Sequence, residues 1–95
     1  MPYLMVHDSP GTTAEMYEAV AARLTDGGTL DSLSDWPVAG ILAHAAGPTE
    51  HGWCVVDVWE SAEAFAAFGE VIGPVLQEVG MGGEPKLSEL HNFVK

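Results

Sequence analysis

Basic residues are almost missing from this 95-residue sequence: three Lys and Arg stand against fourteen Asp and Glu, for a formal charge of −11 with histidine neutral. That balance argues against nucleic acid and anionic membrane as partners, because both are held by clustered Lys and Arg. The single cysteine, Cys54, cannot close an internal disulfide, and nothing else implies an oxidising compartment. No apolar run approaches the ~18 residues of a membrane-spanning helix. The opening MPYLMVHDSP has no basic segment of the kind that begins a secretory signal, so the expected location is the cytoplasm, with no membrane partner. The motifs G-x-S-x-G, the P-loop, GxGxxG and CxxC are also absent, which leaves serine hydrolases, NTPases, dinucleotide-binding folds and dithiol chemistry without support.

What is present centres on Gly52 to Ser61, GWCVVDVWES. Its period of two puts Trp53, Val55, Asp57 and Trp59 on one face of a strand and Cys54, Val56, Val58 and Glu60 on the other. The second face is small and apolar, as expected where helices pack on a sheet. The first sets a carboxylate between two large rings, and a half-polar cavity accommodates that arrangement, since a buried carboxylate must be hydrogen-bonded or neutral.

In chain order, Tyr3 to Asp8 alternates as a first strand and ends at Ser9-Pro10-Gly11. Thr12 and Glu15 form a capping box that opens a helix carrying Ala14, Tyr17, Val20, Ala21 and Leu24, stopped by Asp26-Gly27-Gly28. A loop from Thr25 to Pro37 is pinned by Leu30, Leu33 and Trp36. A second strand spans Val38 to Ala46, and Gly47 to Gly52 turns the chain into the central strand. Ser61 caps a second helix bearing Phe65, Phe68 and Ile72, which Gly73-Pro74 should break or kink. Leu87 to Val94 alternates as a fourth strand.

The order β-α-β-β-α-β describes one α+β domain over 1–95, a ferredoxin-like fold with both helices on one face of a four-stranded antiparallel sheet. A chain this short buries only about 60% of its unfolded surface by itself. Its uncovered sheet face is expected to carry Tyr3, Met5, Trp53, Val55, Trp59 and Phe93, more apolar area than a monomer exposes, so a homodimer stacking two sheets is expected.

With its GW-VVDVWES strand leading into an aromatic helix, then Pro74-Val75-Leu76 and a closing His91-Asn92 strand, the chain resembles the dimeric α/β-barrel superfamily. Within it, the likeness is to the small antibiotic-biosynthesis-monooxygenase-like proteins. The resemblance implies a homodimer with a pocket in each protomer, and activities that include cofactor-independent oxygenation and polyketide cyclisation. The Asn, Trp, His combination of haem-degrading members does not map onto this sequence, and no cofactor is expected.

Three histidines fall on predicted strands, His7, His44 and His91. His7 alternates with Tyr3 and Met5, and His91 shares a face with Phe93. If these faces match that of Asp57, imidazole and carboxylate converge, the usual arrangement for proton transfer near neutral pH. The candidate catalytic residues are therefore His44, His7, Asp57 and His91, against the plainer reading of a structural hydrogen-bonded pair. Trp53, Trp59, Tyr3, Met5 and Phe93 are the candidate walls for a planar ligand, with dimer packing as their alternative role. No HxH or HxxxH spacing supports a metal site, so no metal ligands are assigned. The function these residues and the resemblance together imply is a small cofactor-independent monooxygenase-like or cyclase-like enzyme, in which a His/Asp pair removes a proton from a planar aromatic or polyketide-type substrate, ending in oxygenation or ring closure. The alternatives are a non-enzymatic homodimer that binds a small ligand or partner and, behind it, a histidine-rich metal-binding protein.

Overall fold

The computed structural model describes residues 2–94. Strands β1 (Tyr3–Pro10), β2 (Ile41–Pro48), β3 (Gly52–Trp59) and β4 (Pro85–Glu89) alternate with helices α1 (Ala14–Leu24) and α2 (Ala62–Val79) in the expected β-α-β-β-α-β order. The four strands form one antiparallel sheet ordered β2-β3-β1-β4. Among the described residues no helix is long and apolar enough to cross a membrane.

The central strand is the strand expected, but the faces are reversed. Both helices lie against Trp53, Val55, Asp57 and Trp59, not against Cys54 and Val56. Trp59 is fully buried, its ring centroid 5.1 Å from Phe68 and 5.9 Å from Phe65 of α2, and Trp53 packs 5.3 Å from Tyr17 of α1. Met5 and His7 of β1 are buried with them. Alternation separates two faces without saying which is covered, and here side-chain size decides it: large rings bury more area under helices than small side chains do. The face left without helices carries Leu4, Val6, Ala43, Ala45, Cys54 and Val56, half-buried or exposed. Tyr3, Met5, Trp53, Val55 and Trp59 are therefore not the open face from which a dimer was expected.

Other boundaries moved for local reasons. The N-cap of α1 is Thr13, whose hydroxyl accepts from Met16 N at 3.2 Å, while Thr12 is buried and its hydroxyl meets Ser9 Oγ at 2.6 Å. Helix α2 is unbroken through Gly73-Pro74. The amide hydrogen that Pro74 lacks would have paired with the carbonyl of Glu70, an exposed residue whose backbone water can reach. Ser61 caps this helix as expected, accepting from Ala64 N at 3.1 Å. Strand β2 begins at Ile41, not Val38, with a register shift between Ile41 and Ala43. Strand β4 spans Pro85–Glu89, not Leu87 to Val94, because its partner β1 begins at Tyr3, opposite Glu89; past that pair Leu90 N bonds the Pro2 carbonyl at 3.0 Å and the ladder stops. In the first loop Trp36 is buried and Leu30 half-buried, whereas Leu33 is exposed and anchors nothing.

Candidate functional site

The reversed faces put the chemistry under the helices. His44 of β2 stands opposite Asp57 of β3 in the register, and their side chains meet, Nδ1 to Oδ1, at 2.6 Å. On the other edge of the ring, His44 Nε2 lies 2.6 Å from the hydroxyl of Tyr17, brought in by α1. Asp57, 2 % exposed, has its second oxygen occupied by Trp59 Nε1 at 3.3 Å. Both carboxyl oxygens thus have a donor, which is how a carboxylate tolerates burial among rings.

Burial, with help from Glu18, Asp57 and Asp31, pushes the Tyr17 phenol up to about 12. Near neutral pH it keeps its proton and donates to His44 Nε2. With that bond donated by Tyr17, the ring proton of His44 on the other edge is the one at Nδ1, facing Asp57. The result is a directed chain, Tyr17 O–H to His44 to Asp57. Edge-on packing of Trp36 against His44, with centroids 4.6 Å apart at 63°, holds the ring in place.

This chain ends in a cavity of about 230 Å³ between the sheet and the helices. Its floor is Met5, His7, His44, Val55 and Asp57; Tyr17, Val20 and Leu24 of α1 and Phe65, Phe68, Ile72 and Leu76 of α2 form the rest of its apolar wall. Gly69 and Gly73, one helical turn apart, also face it, and a methyl group built on either would touch nothing within 4 Å. Loop residues Leu30, Trp36 and Met81 close the sides. A shallower hollow adjoins it across Leu30, Trp36 and His44, with Asp31 and Ser32 on its rim.

Of the sequence candidates, the structure brings His44, Asp57, His7 and Met5 to the cavity. Trp59 supports it from behind through its bond to Asp57, and Trp53 packs on Tyr17; neither lines the cavity, nor does Tyr3. His91 and Phe93 lie beyond the end of β4, exposed and away from the site. From the sequence, Tyr17 is only a helix core position and Trp36 only a loop anchor. The signal for Tyr17 was a lone polar tip among the apolar positions of α1, and Trp36 had no signal beyond its size. Among the described residues no group of three or more His, Cys, Asp or Glu is placed to hold a metal ion.

The sequence matches no known protein-family model and no curated protein. Solved structures do match. SnoaB, a cofactor-independent oxygenase from Streptomyces nogalater, superposes with a TM-score of 0.62 at 12% identity, over 98% of this chain and 95% of that one. A proposed monooxygenase from Shewanella loihica PV-4 gives 0.58 at 16% identity, over 97% and 96%. The chain has their fold. It is the ferredoxin-like fold expected from the sequence, and the cavity described above lies between the one sheet and its two helices.

Proposed function

We propose that this protein is a small cofactor-independent enzyme, monooxygenase-like or cyclase-like, that removes a proton from a planar aromatic or polyketide-type substrate. The observation that carries this reading is the chain of two 2.6 Å contacts from Asp57 through His44 to Tyr17, opening on an apolar cavity. The oxygenase fold supports it.

Because Tyr17 occupies the lone pair of His44 Nε2, the group that meets substrate is the phenol oxygen. As that oxygen takes a proton from an acidic C–H or O–H, the phenol's own proton passes to His44. The imidazolium that results is stabilised by Asp57. The substrate anion left in the cavity then has two outcomes. With O2, a CH2 flanked by aromatic rings becomes a ketone, one oxygen atom staying in the product and the other leaving as water. Without O2, the carbanion adds to a carbonyl of the same molecule and a ring closes with loss of water. The test is incubation with a panel of phenols and β-polyketones, aerobic and anaerobic, followed by mass spectrometry. Conversion of at least one compound is expected. Ligands that raise Tm but emerge unchanged throughout would favour a non-enzymatic binding protein instead.

The same reading includes a homodimer, now through the helix-free sheet face of Leu4, Val6, Ala43, Ala45, Cys54 and Val56, which is apolar and has no cover within the described chain. Sedimentation is expected to give twice the mass of a single chain. A single-chain mass at micromolar concentration would remove the dimer from the proposal.

A further inference from the structure

The two polar ends of the cavity are not alike, and the second is fixed by an independent network. His7 Nε2 lies 2.9 Å from the carbonyl of Gly82. A carbonyl only accepts, so Nε2 must carry the proton, and in that tautomer the lone pair of the ring is at Nδ1. Ser9 donates to the same carbonyl at 2.7 Å and is itself 2.6 Å from Thr12, so the loop after α2 is bonded down on β1. Gly83 makes this approach possible: its φ is +85°, and a Cβ there would collide with the Asp8 carbonyl. His7 is 5% exposed and lines the cavity, and its Nδ1 has no hydrogen-bond donor among the described residues.

His7 pairs with Val55 and His44 with Asp57, on opposite sides of β3. Two strand spacings of about 4.8 Å across the sheet and two residues along it place their backbones about 12 Å apart. The two imidazoles therefore rise from different strands, on either side of Val55 in the cavity floor. Volume sets the size of what fits between the walls. The cavity, about 230 Å³, exceeds the roughly 150 Å³ that encloses benzene and falls short of the roughly 300 Å³ at which drug-sized pockets begin.

Charge narrows the class further. No Lys or Arg lines the cavity; Arg23 is at the surface, bonded to Glu78 at 3.1 Å, and Lys86 is exposed on β4. Asp57 is inside, and Asp31 stands on the rim of the adjoining hollow. A carboxylate or phosphate entering here loses its hydration beside Asp57 with no Lys or Arg of the described residues on the cavity wall.

We propose that the ligand is a neutral arene of one or two fused rings with a hydroxyl at each end, one meeting Tyr17 and the other donating to His7 Nδ1. This rests on the cavity being the substrate site; it does not require that any particular compound be turned over. His7 is thus the group that selects for the second hydroxyl.

The experiment is titration calorimetry on the full chain with three naphthalenes: one with hydroxyls at opposite ends of the long axis, one with a single hydroxyl, and one in which the second hydroxyl is replaced by carboxylate. The dihydroxy compound is expected to bind about tenfold more tightly than the monohydroxy one, one hydrogen bond's worth, and the carboxylate more weakly than either. In His7→Phe the affinity ratio of the dihydroxy to the monohydroxy compound should fall to about one, the loss of that one hydrogen bond. Equal affinity of the two hydroxy compounds in the wild-type protein, or tight binding of the carboxylate, overturns the proposal without recourse to any variant. Binding in the expected order with no conversion would instead count against the enzymatic reading and leave this inference standing. Absence of binding by all three, alongside turnover of a larger compound, would do the reverse.

Discussion

Asp57→Asn is expected to lower kcat and kcat/KM together by about a hundredfold to ten-thousandfold, the range that a positioned acid–base group contributes. The carboxylate serves two donors at once, His44 Nδ1 at 2.6 Å and Trp59 Nε1 at 3.3 Å. An amide of the same shape has one acceptor oxygen and satisfies only one of them. If that oxygen turns to Trp59, the NH2 group faces His44 Nδ1, the ring proton moves to Nε2, and the ring then donates to Tyr17 where before it accepted. If the oxygen stays on His44, Trp59 faces an unfavourable N–H, and the imidazolium formed during proton transfer has lost its counter-charge. Either arrangement stops the phenol from handing on its proton. Tyr17→Phe should produce a fall of the same order with the fold intact. The check is steady-state kinetics on whichever compound the panel reveals, with circular dichroism to verify folding. An Asp57→Asn enzyme within tenfold of wild type would mean that the carboxylate only holds the histidine in place.

Trp59→Ala is expected to remove about 3 to 5 kcal/mol of stability, the usual loss for a large buried ring. A domain of this size has in all only about 5 to 15 kcal/mol to lose. The indole is fully buried between Phe65 and Phe68, so its deletion leaves a void on the hydrophobic side and an unpaired Asp57 oxygen on the polar side. Trp59→Phe separates the two contributions: it keeps most of the packing and should lose only about 1 to 3 kcal/mol, the charge-assisted hydrogen bond. Urea unfolding measures both. A loss below about 1 kcal/mol for Trp59→Ala would show that the helices do not depend on this ring, contrary to the burial seen here.

Element order was readable because each element has its own local signal: alternation in β1 and β3, a capping serine before α2, glycines after each helix. The face assignment was not, because period two is symmetric and says nothing of which side meets a helix. The pair of His44 and Asp57 was approachable, since both lie on predicted strands of one hairpin. Its register was not, because β2 is rich in Ala and Gly and carries an irregularity at Ile41/Ala43 that shifts every later residue. His91 and Phe93 failed for a different reason. Their alternation is genuine, but a strand needs a neighbour, and β1 starts only at Tyr3, opposite Glu89. Tyr17 joins the site only through the packing of α1 on the sheet, a long-range event that no local pattern records.

Gly69 and Gly73 face the cavity from the middle of α2, in open space. Alanine at either position would strengthen an exposed helix by roughly 1 kcal/mol, and no neighbouring atom would resist it. Two such positions on one side of an otherwise well-formed helix mean that rigidity is sacrificed there for room. The capacity of this chamber is therefore adjustable one methyl at a time without disturbing the acid–base groups beneath it. Relatives of this chain with bulkier residues at these two places would be expected to accept smaller guests by the same chemistry.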